Sequence, residues 1–259
     1  MNTTIVPKLS LSFILVISFL FNPVFLPALD EQEIPRLVST PEINEIEKEK
    51  DSLSLDTMIV AALRFSGIDD PAETDEEKEK IDLLVSGFKE HLLSLETPTE
   101  KEKALEALLF LHDELFTRYS EMQTLIPVIF EQGTFNCVSS AVLYMILLTA
   151  TDIPVWGIKT SDHAFCRVGT DEGDFDVETT NIYGFDPGSK KEFRDRFANV
   201  TGYSYTPPGH YNDRSDIAPV ELLTLILNNR ISALSRQNQY RDAVEIAVDI
   251  HALLRTEES

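Results

Sequence analysis

The run from Val138 to Leu148 constrains this chain more than any other. It is apolar almost all round, so a helix built from it has no face to offer water and must sit at the centre of a fold. Asn136 is a good N-cap residue immediately before it, and Asp152 and Pro154 stop it. Everything else has to wrap this segment. At 43% apolar and 9% aromatic residues, the chain has enough material to do so.

The charge narrows the function classes. Twenty-two Lys and Arg against 44 Asp and Glu give −22, a balance that repels nucleic acid and anionic lipid headgroups. Two Cys cannot build a disulfide scaffold or a four-Cys zinc site. No phosphate-binding loop or dinucleotide fingerprint is present. No cofactor and no metal are called for. A site from His163, Cys166 and a carboxylate is disfavoured because positions 163 and 166 fall on opposite faces of one strand.

The first thirty residues read as an address. Lys8 is the one charged side chain before Asp30, and an apolar stretch from Leu9 to Phe21 is followed by Pro23 and Pro27. Its length suits a signal-peptide core, with cleavage near Ala28, or an uncleaved anchor over 9–29. The absence of Cys there excludes a lipid-anchored lipoprotein. Either way the bulk of the chain is expected outside the cytoplasm, in the periplasm or cell envelope, touching membrane only through that segment. Residues 30–50 are acidic and interrupted by Pro35 and Pro41, and read as a solvated linker.

Helical signals then follow in series. Ser54 caps a helix through Phe65; Thr74 and Glu77 form a capping box before Ile81, Val85, Phe88 and Leu92; Thr99 and Glu102 repeat the device before Leu105 to Tyr119. His112 falls on that last stripe and reads as a core or edge histidine rather than a ligand. After the central helix come three β-like runs, Val155–Lys159, His163–Val168 and Phe175–Thr180, the last two flanking a Gly169–Gly173 hairpin loop. The polar stretch from Tyr183 to Asp216 is too long for a connector and reads as a functional loop or lid. Pro219 opens a helical pair over 219–259. Glu221–Leu254 has the period of one tetratricopeptide unit, and an ordinary αα-hairpin fits equally. Such a pair must lean on the rest of the chain or on a protein partner.

The chemistry converges on Cys137. At a helix start, unpaired N–H groups and the positive end of the macrodipole favour a thiolate and can hold an oxyanion. His163 is the candidate base. Glu178 and Asp176, across the hairpin, are alternative acids on one strand face that could orient it.

Four segments together, Asn136–Tyr144, Ile153–Ile158, Asp162–Phe165 and Val177–Thr180, resemble the transglutaminase-like cysteine superfamily, in the branch with C-terminal tetratricopeptide-like helices. The resemblance covers about residues 100 to 185. It implies an α+β fold with a papain-like core over 51–218, one buried helix against a short antiparallel sheet, with N-terminal helices and a C-terminal helical hairpin. Residue by residue it implies Cys137 as nucleophile, His163 as base and Glu178 as acid. The family pattern has Asp where Glu178 stands and Trp where Phe165 stands. The expected activity is a thiol enzyme that cleaves or transfers an amide or acyl group of a peptide or protein through a Cys thioester. The competing reading is a non-catalytic adaptor that binds a protein partner through its C-terminal helices and has no need of all three residues.

Overall fold

The computed structural model describes residues 35–189 and 214–255. The expected leader and most of the expected lid, residues 190–213, lie outside the described residues. The chain divides into two compact units, Lys48–Asn229 and a second built from the segments before and after it. Among the described residues the architecture is α+β, with eight α-helices and a small antiparallel sheet. None of these helices is long and apolar enough to cross a membrane.

In the larger unit, helices α2 (Leu55–Phe65), α3 (Pro71–Leu93) and α4 (Glu100–Glu114) form a helical layer. A short α5 (Ile126–Gln132) follows, and then the apolar run as α6 (Cys137–Thr149). Every residue from Val138 to Leu148 is buried. The sheet lies on the other side of α6. Its strands β3 (Val155–Lys159), β4 (Ala164–Thr170), β5 (Gly173–Val177) and β6 (Ser215–Ile217) are ordered β5-β4-β3-β6, all antiparallel. A two-residue parallel pair, β1 (Arg118–Tyr119) with β2 (Thr134–Phe135), fixes the approach to α6. The one buried polar tip in α6's middle, the Tyr144 hydroxyl, donates to the Ala104 carbonyl of α4 at 2.8 Å. Burying an apolar helix between two layers is how the chain satisfies both of its faces.

Of the four side-chain caps expected from the sequence, three form. Ser54 accepts from the Thr57 N–H, and Thr99 and Glu102 form the full reciprocal box. The exception is α3. It starts one turn early, at Pro71, with Asp70 accepting from the Ala72 and Glu73 N–H groups. Thr74 and Glu77 are buried inside the helix instead of capping it. An Asp cap followed by Pro at the first helical position outcompetes a Thr four residues on.

The smaller unit contains α1 (Pro41–Lys48) and the C-terminal α8 (Tyr240–Leu254); α7 (Pro219–Arg236) begins in the larger unit and ends in the smaller. The unit boundary thus falls inside α7, not at Pro219. Residues 41–48 are helical where a linker is expected, because Ile43 and Ile46, three apart, are both buried. Arg36 clasps α8 through two parallel bonds to Asp249, 3.0 and 2.7 Å, while its own N–H donates to Glu245.

Candidate active site

The site is assembled where α6 and β4 start and β5 ends. Gly133, in the left-handed region at φ 63°, terminates α5; its carbonyl accepts from the Thr117 and Arg118 N–H groups. The chain then passes through β2 into Asn136, whose side chain accepts from the Ser139 N–H while Ser139 Oγ accepts from the Asn136 N–H, both at 3.0 Å. This reciprocal box places Cys137 as the first residue of the helix. Cys137 is half-buried and not part of a disulfide.

His163 immediately precedes β4, its carbonyl continuing the β3–β4 ladder by accepting from the Thr160 N–H at 2.9 Å. Its Nε2 lies 2.6 Å from Glu178 Oε2, with side-chain exposures of only 7% and 0%. Burial disfavours a charged imidazole. The Glu178 carboxylate and hydrogen bonds to the Cys137 and Glu178 side chains outweigh that cost and hold the His163 pKa well above its ordinary value. Because Nε2 is on the acid, Nδ1 is the ring nitrogen left to face the thiol. A buried carboxylate thus holds one nitrogen of the imidazole and leaves the other for the helix-start thiol.

Glu178 is fully engaged. Its second oxygen accepts from the Thr180 N–H at 3.2 Å and the Thr180 hydroxyl at 2.7 Å. Asp176, the other acid considered, lies elsewhere. It belongs to β5 opposite Arg167, and its oxygens take Arg214 Nη1 and Nη2 at 2.8 and 2.6 Å and Arg167 Nε at 3.3 Å. Glu178 stands just past the strand end, where the chain turns, so the strand alternation that puts both acids on one face no longer governs it. Arg214 also stacks over Phe165, 5.0 Å from its ring centroid.

Cys166 needs a correction. Strand alternation sets it opposite His163, but it does not face away from the helix that Cys137 begins: its Sγ donates to the Ala141 carbonyl of α6, one turn beyond Cys137. It is fully buried and free, and burial pushes its thiol pKa strongly up. No group of three or more His, Cys, Asp or Glu side chains able to hold a metal ion occurs among the described residues.

Two site features carry no local sequence signal. His112 Nε2 lies 3.0 Å from the Thr179 carbonyl, and Ser140 and Thr179 share a buried hydroxyl–hydroxyl bond of 2.8 Å. Both contacts span tens of residues of sequence, so only the fold reveals them. Compared with known proteins, the chain matches no family model, no curated protein and no solved structure.

Proposed function

We propose that this protein is a transglutaminase-like thiol enzyme with a papain-like core, cleaving or transferring an amide or acyl group of a peptide or protein through a thioester on Cys137. The observation that carries the reading is the buried 2.6 Å contact between His163 Nε2 and Glu178 Oε2, on an imidazole whose charged form the Cys137 side chain also favours. An adaptor gains nothing from holding a charged pair in so dry a place, where desolvation is costly. A nucleophilic relay requires it.

The steps follow from the geometry. His163 takes the Cys137 proton, and Glu178 stabilises the imidazolium that results. The thiolate attacks the acyl carbon, forming the C–S bond, and backbone N–H groups at the start of α6 hold the oxyanion. The C–N bond breaks as His163 returns its proton to the leaving amine. Water, or a second amine, then attacks the thioester with His163 as base, and the thiolate is released. Water gives a peptidase or amidase; an amine gives crosslinking. The apolar, Lys-preceded stretch from Leu9 to Phe21 supports a reading in which this activity works outside the cytoplasm, in the periplasm or cell envelope.

A generic acyl donor tests the chemistry without knowledge of the substrate. Exposure to p-nitrophenyl acetate should give a burst of nitrophenolate and one acetyl group of added mass on Cys137, both lost in Cys137→Ala and strongly slowed in His163→Ala. Acetylation spread over lysines, with Cys137 unmodified, overturns the reading.

A further inference from the structure

His112 is a half-buried imidazole that the relay does not use. It lies on α4, edge-on to Phe116 at 5.3 Å and to Phe135 at 5.9 Å between ring centroids. Phe135 is two residues before the nucleophile. The His112 Nε2 contact at 3.0 Å is with a backbone carbonyl, which only accepts, so Nε2 carries the proton. Burial holds the ring's pKa below the ordinary value, against the Thr179 bond and the charges of Asp113 and Glu178 that raise it. It is therefore a neutral donor at neutral pH.

The carbonyl it holds belongs to Thr179, the residue between Glu178 and Thr180. Thr179 is completely buried and is gripped a second time, through its hydroxyl, by Ser140 of α6. Ser140 Oγ also donates to the Cys137 carbonyl at 3.3 Å. The segment bearing the acid is thus tied to α4 by His112 and to the first turn of the nucleophile's helix by Ser140, on a path that bypasses His163. Glu178 is just past the end of β5, where its N–H donates to the Gly184 carbonyl at 2.9 Å and Thr180 holds its second carboxylate oxygen, so His112 and Ser140 act on the residue between these two anchors.

We propose that His112 is a positioning residue for the relay: by donating to the Thr179 carbonyl, with Ser140 holding the same residue from the other side, it sets the Glu178 carboxylate against His163. The proposal deepens the thiol-enzyme reading and rests on it for its meaning in catalysis, but its structural content stands on the Glu178–His163 contact alone. It explains why a donor, and not only an apolar ring, occupies an aromatic cluster with Phe116 and Phe135.

The test reads the titration of His163 in the full chain, followed by its ring proton signals in NMR spectra. Glu178 and Cys137 face His163, with the Phe165 ring alongside at 6.0 Å. None of them is altered by the variants. His112→Phe keeps a ring for the aromatic cluster and removes the donor; His112→Gln restores an N–H that can reach the carbonyl. The expected result is a His163 pKa lowered by roughly one unit in His112→Phe and returned to the wild-type value in His112→Gln. Cys137 acetylation should slow by on the order of tenfold to a hundredfold in the first and recover in the second. A merely structural role would change the unfolding midpoint and leave the His163 titration in place. Should His112→Phe lose cooperative unfolding, Ser140→Ala replaces it under the same criterion. A His163 titration unchanged in the folded variant, or shifted equally in His112→Gln, overturns the proposal. Failure of wild-type Cys137 to acetylate overturns the enzyme reading instead, and leaves the titration result to decide this one.

Discussion

Glu178 and Gly184 are pressed together backbone to backbone. The Glu178 N–H donates to the Gly184 carbonyl at 2.9 Å, and a Cβ built on Gly184 would stand 1.9 Å from the Glu178 carbonyl oxygen. The obstructing atom is main chain, so it cannot rotate aside. The acid of the site is therefore held by a tight turn that closes only when residue 184 has no side chain.

Gly184→Ala should for this reason displace Glu178. We expect a stability loss of about 2 kcal/mol or more, together with a fall in Cys137 acetylation larger than the loss of folded protein accounts for. Urea unfolding and the nitrophenolate burst, measured on the same preparation, separate the two effects. Wild-type behaviour in both would mean that the turn relaxes at no cost.

The two acids should separate cleanly. Glu178→Gln preserves shape and removes the charge that supports the imidazolium, so acetylation should drop by a factor on the order of hundreds or more while the fold persists. Asp176→Asn should act mainly on stability, because it leaves Arg214, whose side chain is 8% exposed, without the carboxylate that both of its terminal nitrogens grip. Losing one partner of a buried pair costs about 3–5 kcal/mol. An Asp176→Asn protein as stable as wild type but slower at Cys137 than Glu178→Gln would exchange their roles.

The pH dependence of stability has a definite sign. His163 is held well above its ordinary pKa, burial being outweighed by Glu178 and the Cys137 hydrogen bond. A group raised in the folded state stabilises it fully below the unfolded value of about 6.5, and the contribution is lost as pH rises through the folded value. The stability difference between wild type and Glu178→Gln should therefore be largest near pH 6 and shrink on the alkaline side. Urea midpoints across that range measure it; a difference that grows with pH would contradict the ion pair.

The two thiols should differ in native protein. Cys137 is half-buried beside an imidazole, whereas Cys166 is enclosed under the sheet with its pKa driven up by burial. Iodoacetamide near pH 6 should modify Cys137 and reach Cys166 only on unfolding, as peptide mapping would show. Equal labelling of both in folded protein would remove Cys137 from its special place.

Much of this arrangement was legible beforehand, and the reasons differ residue by residue. Asn136 and Ser139 are three apart, so the cap that aims Cys137 is written locally. The apolar run behind it leaves no choice but a buried helix. His163 and Glu178 were legible through the resemblance and the hairpin between them. What stayed hidden depends on long-range contact. Asp176 could not be told from Glu178 because its main partner, Arg214, lies 38 residues away. His112 read as an ordinary core histidine because its acceptor is a backbone carbonyl 67 residues distant, and every residue type has one. The helix over 41–48 was masked by its charge: an acidic composition suggests solvation, yet two isoleucines three apart are enough to bury one face.

The clasp of Arg36 onto Asp249 also dictates an order of events while the chain is being made. Arg36 emerges from the ribosome early and its partner near the end, with all of Lys48–Asn229 synthesised between them. Synthesis at about 5–20 residues per second leaves the early segment waiting on the order of ten seconds or more for α8. The unit that carries Cys137, His163 and Glu178 has all its residues first and is free to collapse around α6 in that interval. The smaller unit is the last to close, so a chain interrupted before residue 240 would carry Cys137, His163 and Glu178 but leave Arg36 with no helix to grip.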